Sequence, residues 1–582
     1  MKTVKRALSV CILVGLFLTG ADGATVSWDG GGGNNAWENA ANWSGDAVPG
    51  SADDVVIGGA GEVVFSTGSA VVRSLQSARG LTVSGGTLVL TAGASTVQGG
   101  FNVMGGTVAV RGAGTSFNAT GATAVGGGTI SAQNGAIISF PELAIATAIK
   151  AGNILFTASE NGSVLDLANL TEVTTWEGYR FDVEASGGGQ VNFPKLKEVN
   201  GTLDFYADDA GSRIDASGFV GVLRNTGSSS GRVEVREGAS VLMPGVTGLE
   251  YMNLAIRGNG QFPMAQIRSI HQGLLTVDGN TNVLPSLTNI LNSSVNVENG
   301  AKLTLPGIME WARTNSGHIH LWVSGEESVL EMPNLTRATS APSYYIELDA
   351  WDGGELRLPL LSSVSGALDV NADGAGAVIG LPALNGALSM TGQSYLVARD
   401  GGSVLIPGVT DLQRVNLEIR GDGMIPTEQI RSFKNGQITL GATAGNFPAL
   451  VNLEAGSVNL NDGAELTLTG ITQIGRTDFG HVSFWADGEG TILNLLNVTQ
   501  GAVNDSYYID LSATSGGKVN LPRLAGVTSG GMDVSADGEG SVVNLGGFVT
   551  RFGNGQRTWY VESRNGGLVS FPKASQLENI NL

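Results

Sequence analysis

Cysteine is almost absent. The one cysteine in 582 residues, Cys11, lies inside an apolar run at 7–18. Once that run is removed, disulfides, thiolate catalysis and thiolate-bound metals are excluded. Helix signals are missing too, since no stretch joins a sustained 3.6-residue apolar period to caps. Positive charge is scarce: 32 Lys and Arg stand against 52 Asp and Glu, a net charge of −20. That balance argues against nucleic acid or an anionic membrane as a partner. Beyond the start, no apolar run approaches the ~20 residues that a transmembrane helix needs. The glycine run at 30–33 precedes neither Lys-Ser/Thr nor a helix, so it is not a phosphate loop. No G-x-S-x-G elbow context marks a nucleophilic serine.

Residues 1–23 read as a secretory signal. Lys2, Lys5 and Arg6 precede the apolar core, and Ala21 and Gly23 suit cleavage before Ala24. Val10 before Cys11 fits a lipidation signal poorly. Cleavage removes three basic residues and Asp22, leaving 29 basic against 51 acidic and a net charge of −22. An exported chain of this length without disulfides points to the surface or surroundings of a bacterium.

Glycine, by contrast, is abundant. Its 88 residues are about twice the usual ~7% share, and they fall at turns between short apolar runs. The decisive feature is self-similarity. SVLMPGV at 240–246 returns as SVLIPGV at 403–409. IRGNG at 256–260 returns as IRGDG at 419–423, and SYYIEL at 343–348 as SYYIDL at 506–511. All three returns share one long period of about 163 residues, and a fixed period is the signature of a repeat architecture. Within one period, leaving Pro342 aside, the prolines from Pro244 to Pro407 are evenly spread. Their steps divide the long period into seven units of about 23 residues.

The unit reads V-x-L-P-x-L-x-x-V, as in VNLPRLAGV at 519–527 and VNFPKLKEV at 191–199. Residues three and one before the proline share a strand face. Proline ends the strand, where its missing N–H does least harm. The later Leu and Val turn back to the same core. The spacing predicts an all-β, right-handed parallel β-helix. A leucine-rich repeat is excluded, because the Asn column it needs is missing. About nineteen coils stacked ~4.8 Å apart would make a rod of roughly 90 Å. The expected organisation is a signal at 1–23, a Trp/Gly-rich cap and first strand at 24–62, irregular Gly-rich coils at 63–139 and regular coils at 140–582. LVSFP at 568–572 begins another copy shortly before the last residue, Leu582. That predicts a ladder continuing in a longer natural product.

The segment after the signal carries Trp28, Trp37, Asn42-Trp43, Pro49 and Asp53-Asp54 before Val55-Val56-Ile57. From Ala24 to about Glu62 it resembles the opening of exported bacterial autotransporter-passenger and other β-solenoid proteins. The resemblance implies export and a solenoid to follow, and it implies no activity. Physically, three closely spaced tryptophans can cover an open first coil.

The candidate site is a polar column. Counting back about half a coil from Pro333, Pro359 and Pro382 gives His320, Glu347 and Asp369. Equivalent places hold Leu155, Asp182 and Asp204 in an earlier copy, and Ser483, Asp510 and Asp533 in a later one. Coils in register would stack these side chains about 5 Å apart on an outer face. Stacked carboxylates bind Ca²⁺ or share a proton; a plain solvent-facing ladder explains the same column without either. His318 and His320, two apart, can share a strand face and begin a metal site, but Ser483 replaces His320 in the later copy. The acidic turns at 207–211, 372–376, 486–490 and 536–540 suit φ > 0 corners. They lack the spacing of Ca²⁺-binding repeats. Trp322/Trp485, Tyr344/Tyr507 and Tyr345/Tyr508 recur, and exposed aromatics stack on sugars or on one another.

The expected role is non-catalytic: a structural or adhesive surface protein presenting side-chain ladders to glycans or other surfaces, without metal or cofactor. Two alternatives stand beside it. One is a polysaccharide lyase or hydrolase, on fold analogy. The other is a Ca²⁺-stabilised scaffold.

Overall fold

Short β-branched and leucine-rich runs between glycine turns form strands because alternate side chains enter a core while the others meet water. The computed structural model describes residues 23–148, 152–341, 343–442, 446–476, 478–548, 551–552 and 558–582. Of the expected signal only Gly23 falls among these. Strand accounts for 53% of the chain and helix for 1%, and parallel strands stack about 23 residues apart. This is a β-solenoid. Among the described residues no helix is long and apolar enough to cross a membrane. Contacts divide the chain into two compact units, Met1–Asn169 and Leu170–Leu582, a division that the repeat pattern does not mark.

In the first unit, Thr25–Ser27, Asp54–Ile57, Ser74–Ser77, Ala94–Val97, Ser116–Ala119, Ile137–Ser139 and Val164–Asp166 stack into one parallel sheet. A second sheet runs from Glu62–Phe65 through Gly80–Val83, Phe101–Arg111 and Thr123–Gln133 to Ile154–Ser159. The tryptophans close the start. Trp37 and Trp43 are fully buried. Trp43 meets Trp28 and Trp37 edge-on, with centroids 4.9 and 4.8 Å apart, and its Nε1 donates to the Trp37 carbonyl at 2.7 Å. A bridge from Ala36 to Val64 ties this segment to the first coils.

In the second unit the inward set is the one the repeat unit dictates. Val519, Leu521, Leu524 and Val527 are all buried, around a strand Lys518–Asn520 that ends just before Leu521-Pro522. One long sheet runs up this unit. In its strands Ile319, Leu321 and Val323, then Ile346, Leu348 and Ala350, then Leu368, Val370 and Ala372 point inward and are fully buried or nearly so. The residues between them form the outer face.

Two polar devices tie successive coils. The first is a buried hydroxyl after several of the glycine turns. Ser328 Oγ donates to the Ser324 carbonyl at 2.7 Å and accepts the Gly300 N–H of the preceding coil at 2.8 Å. Thr491 repeats this with Asp487 and Gly463, and Ser541 with Asp537 and Gly516. The acidic turns are thus corners: Gly538 and Gly540 hold φ of 98° and 82°, which a side chain would strain, and the hydroxyl closes the bend. The second device is an ion-pair network around Glu234, which is only 3% exposed. Arg232, Arg236 and Arg257 surround its carboxylate. Arg257 then reaches Asp278 at 2.8 Å and Glu298 at 3.2 Å, in the coils further on.

Ser328→Ala should lower the unfolding free energy by about 1–3 kcal/mol, because it leaves a buried N–H without its acceptor. Chemical denaturation measures the loss, and amide exchange locates it. Unchanged exchange at Gly300 would show that the hydroxyl is not the staple.

Candidate functional site

Parallel register turns the outer face of the long sheet into columns. His320 pairs with Glu347, Glu347 with Asp369, Asp369 with Tyr395 and Tyr395 with Asn416. The next column, two positions on, holds Trp322, Asp349, Asn371, Val397, Glu418, Thr439, Asn459 and Trp485. The stacking expected for His320, Glu347 and Asp369 is therefore present. So is that of Asp182 on Asp204, and of Ser483, Asp510 and Asp533.

The three sets differ in chemistry. Asp204 is held between Arg180 at 2.5 Å and Arg232 at 3.3 Å. That is an ordinary ion-pair ladder. Glu347, Asp349 and Asp369 instead crowd one another, with His318 rather than an arginine beside Glu347. Burial pushes Asp349 up to about 7, and repulsion from Asp369 and Glu347 adds to it. Burial likewise raises Asp369 to about 6, with Glu347 adding to the shift and Arg399 opposing it. Asp510 rises to about 6 by burial and by repulsion from Asp533. Burial also disfavours protonation of His320, whose Nε2 lies 2.8 Å from Asn296 Oδ1.

The two histidines of this strand part company. His320 turns to Asn296, whereas the His318 ring stacks on Tyr345, with centroids 5.2 Å apart and planes at 8°. His318 Nδ1 accepts the Tyr345 N–H at 3.3 Å and stands 3.1 Å from Glu347 Oε1. Tyr344 completes the corner edge-on, 5.9 Å from His318.

The same corner recurs one long period later. His481 stacks on Tyr508 at 5.6 Å and 4°, its Nδ1 accepts the Tyr508 N–H at 3.2 Å, and Tyr507 lies edge-on at 5.3 Å. Each Tyr ring has room because the next coil carries a small residue, Ala367 beside Tyr345 and Gly531 beside Tyr508. A Cβ on Gly531 would sit 2.4 Å from the Tyr508 ring. Trp322 and Trp485 stand beside these corners, 38% and 39% exposed. The sequence singled out His320; the repeated histidines are His318 and His481. The signal was present, since both obey the long period, but only the fold shows each ring covering a tyrosine. In the earlier copy Tyr179 takes the place of Tyr344. There Trp176, 54% exposed, helps wall a concavity of about 390 Å³ with Asn200 and Thr226.

Between the two corners the face carries amides and a compensated charge cluster. Glu418 is gripped by Arg399 at 2.8 Å and Arg420 at 2.6 Å. A shallow groove of about 290 Å³ runs from Tyr395 past Asn416, Gln437 and Asn459 to Trp485. Among the described residues no group of three His, Cys, Asp or Glu side chains is arranged to hold a metal ion. No family model matches the chain, and neither a curated protein nor a solved structure is significantly similar to it.

The raised carboxylates set a pH dependence. Asp349 and Asp369 bind protons in the folded chain between about pH 4 and pH 7, where unfolded carboxylates have lost theirs. The folded state is then favoured in acid, and the advantage is lost as pH rises through 6 and 7. Asp349→Asn should therefore raise the unfolding free energy at pH 8 by about 1–3 kcal/mol, allowing for solvent screening. It should change little below pH 4. Denaturation at the two pH values decides, and an equal gain at both would rule out the charge as its source.

Proposed function

We propose that this chain is an exported bacterial β-solenoid that binds glycans through the outer face of its long sheet and catalyses nothing there. One observation carries the reading. Exposed Trp322 and Trp485 share a single column, and the residues between them are mostly amides, hydroxyls and carboxyls in register. An indole face covers the apolar face of a sugar ring, and polar groups beside it hydrogen-bond to the hydroxyls. The side chains are held by the coil ladder itself, so binding costs little ordering. Export and a surface location rest on the signal-like start, the loss of cysteine and the acidic balance. The likeness of the Trp-rich opening to autotransporter passengers supports the same placement.

The non-catalytic part of the reading rests on the mutual crowding of Glu347, Asp349 and Asp369. No Lys stands with them in their columns, and the cation that acts on Asp369, Arg399, is already paired with Glu418.

A glycan array probed with residues 24–582 should give binding that falls at least tenfold when Trp322 and Trp485 are both changed to alanine. That is the loss of roughly 1.4 kcal/mol or more of stacking. A depolymerisation assay on the bound glycans should release no reducing ends. Release abolished by Glu347→Gln would replace the binding reading with an enzymatic one.

A further inference from the structure

The aromatic corners are two copies of one constellation. Counting along the register from Trp322 to Trp485 gives seven coil steps, a distance of about 34 Å at ~4.8 Å per step. Each copy contains a stacked His–Tyr pair, an edge-on Tyr, an exposed Trp and two carboxyls from adjacent coils. Several outward positions that belong to no corner have diverged between the copies, although others, such as Asn253 and Asn416 or Asn296 and Asn459, are kept. His320 is matched by Ser483, Ser324 by Asp487, Asp349 by Ser512 and Trp351 by Thr514, all at the offset of the long period. His318, Trp322, Tyr344 and Tyr345 are matched by identical residues. None of the four is needed to fill the core, because all project from the outer side of the sheet or its corner. At the corners, identity is thus kept at positions that the surface, not the coil, would use.

Resting on the glycan reading above, we infer that the two corners are equivalent subsites of one bivalent receptor, and that a single extended, uncharged polysaccharide strand lies along the sheet and engages both. Three observations favour a strand over two separate small ligands. The sites lie on one sheet in the same columns, so a chain running from coil to coil meets both in the same orientation. The part of the path from Tyr395 to Trp485 is a groove lined by Asn416, Gln437 and Asn459 rather than a ridge. The charge cluster in that groove, Glu418 with Arg399 and Arg420, is internally paired. The lack of free charge along the groove selects an uncharged polymer, and the acidic chain repels polyanions. Joining two weak sites through one polymer multiplies affinity by about 10²–10⁴ without any new contact, provided the polymer spans them.

The test uses residues 24–582 and soluble probes: hydroxyethylcellulose, galactomannan, arabinoxylan and dextran as neutral polymers, with polygalacturonate and chitosan as charged ones. Affinity electrophoresis and calorimetry report binding, and Trp322→Ala, Trp485→Ala and the double variant are compared after circular dichroism shows unchanged strand content. The expected result is retention by at least one neutral polymer. Each single variant should lose most of the affinity, about tenfold to a hundredfold, and the double variant the rest. Oligosaccharides cut from that polymer should bind like the single variants when shorter than about 34 Å, and like the polymer when longer. If short fragments bind as tightly as the polymer, or if one single variant equals the double and the other equals the unaltered chain, bivalency is wrong and glycan binding stands. Retention only by chitosan or polygalacturonate also overturns the inference and leaves the glycan reading in place. If none of the six polymers is retained, both fall.

Discussion

Parallel hydrogen-bonded register is the constraint on which everything else in this solenoid depends. Once each strand pairs with its counterpart about one coil on, every outward side chain stands about 5 Å from the equivalent one in the coils before and after. Inward positions profit, because aliphatic side chains such as Leu321, Leu348 and Val370 stack in the core. Outward positions are placed under stress whenever the repeat carries charge. A carboxylate at one column position becomes a row of carboxylates, and like charges directly opposite one another destabilise a sheet. The chemistry of the outer face is largely the record of how that stress is handled.

Three solutions coexist in the second unit. Around Asp204 and Glu234 arginines are inserted into the columns, and the charges cancel in a network reaching from Arg180 to Glu298. Between Tyr395 and Trp485 most of the carboxylates are replaced by Asn, Gln, Ser and Thr. Around Asp349 and Asp369, and again at Asp510, the carboxyls stay, and burial and their neighbours raise their pKa, so that they hold protons more readily than free carboxylates. The first two solutions serve stability outright. The third retains a cost that one more arginine would remove, and it does so beside the stacked His–Tyr pairs. Departures from local consistency concentrate at functional positions in natural proteins, and here the departure coincides with the exposed aromatics.

Much of this was legible in the residues. The long period, the coil length and the inward set V-x-L-P-x-L-x-x-V follow from periodicity and from the strand-ending effect of proline. The column of His320, Glu347 and Asp369 follows from counting back from those prolines. The hydroxyl staples at Ser328, Thr491 and Ser541 were hidden, since a Ser or Thr after a glycine turn reads as ordinary turn chemistry until its burial is seen. The network around Glu234 was hidden for a different reason. Its members are spread over several coils of unequal length, so no fixed spacing announces them. The stacking of His318 on Tyr345 depends on which way two neighbouring side chains turn at a corner, and sequence spacing does not set that.

Duplication of a block copies its surface together with its core, so recurrence alone says little about use. What separates use from inheritance is the pattern of later change. Inward residues are restrained by packing, and they have changed only among apolar types, as Ile319 to Val482 and Leu321 to Phe484. Outward residues are free to drift, and several on this face have drifted across chemical classes, as His320 to Ser483 and Trp351 to Thr514. Among those kept are the histidine, the two tyrosines and the tryptophan. Aromatic ladders stabilise sheets, which would explain retention of rings that stack on neighbours. It explains Tyr345 and Tyr508, each covered by a histidine. It does not explain two tryptophans more than a third exposed and seven coils apart, which cannot stabilise one another. For those, the ligand proposed above, on the open side of the ring, would supply the restraint.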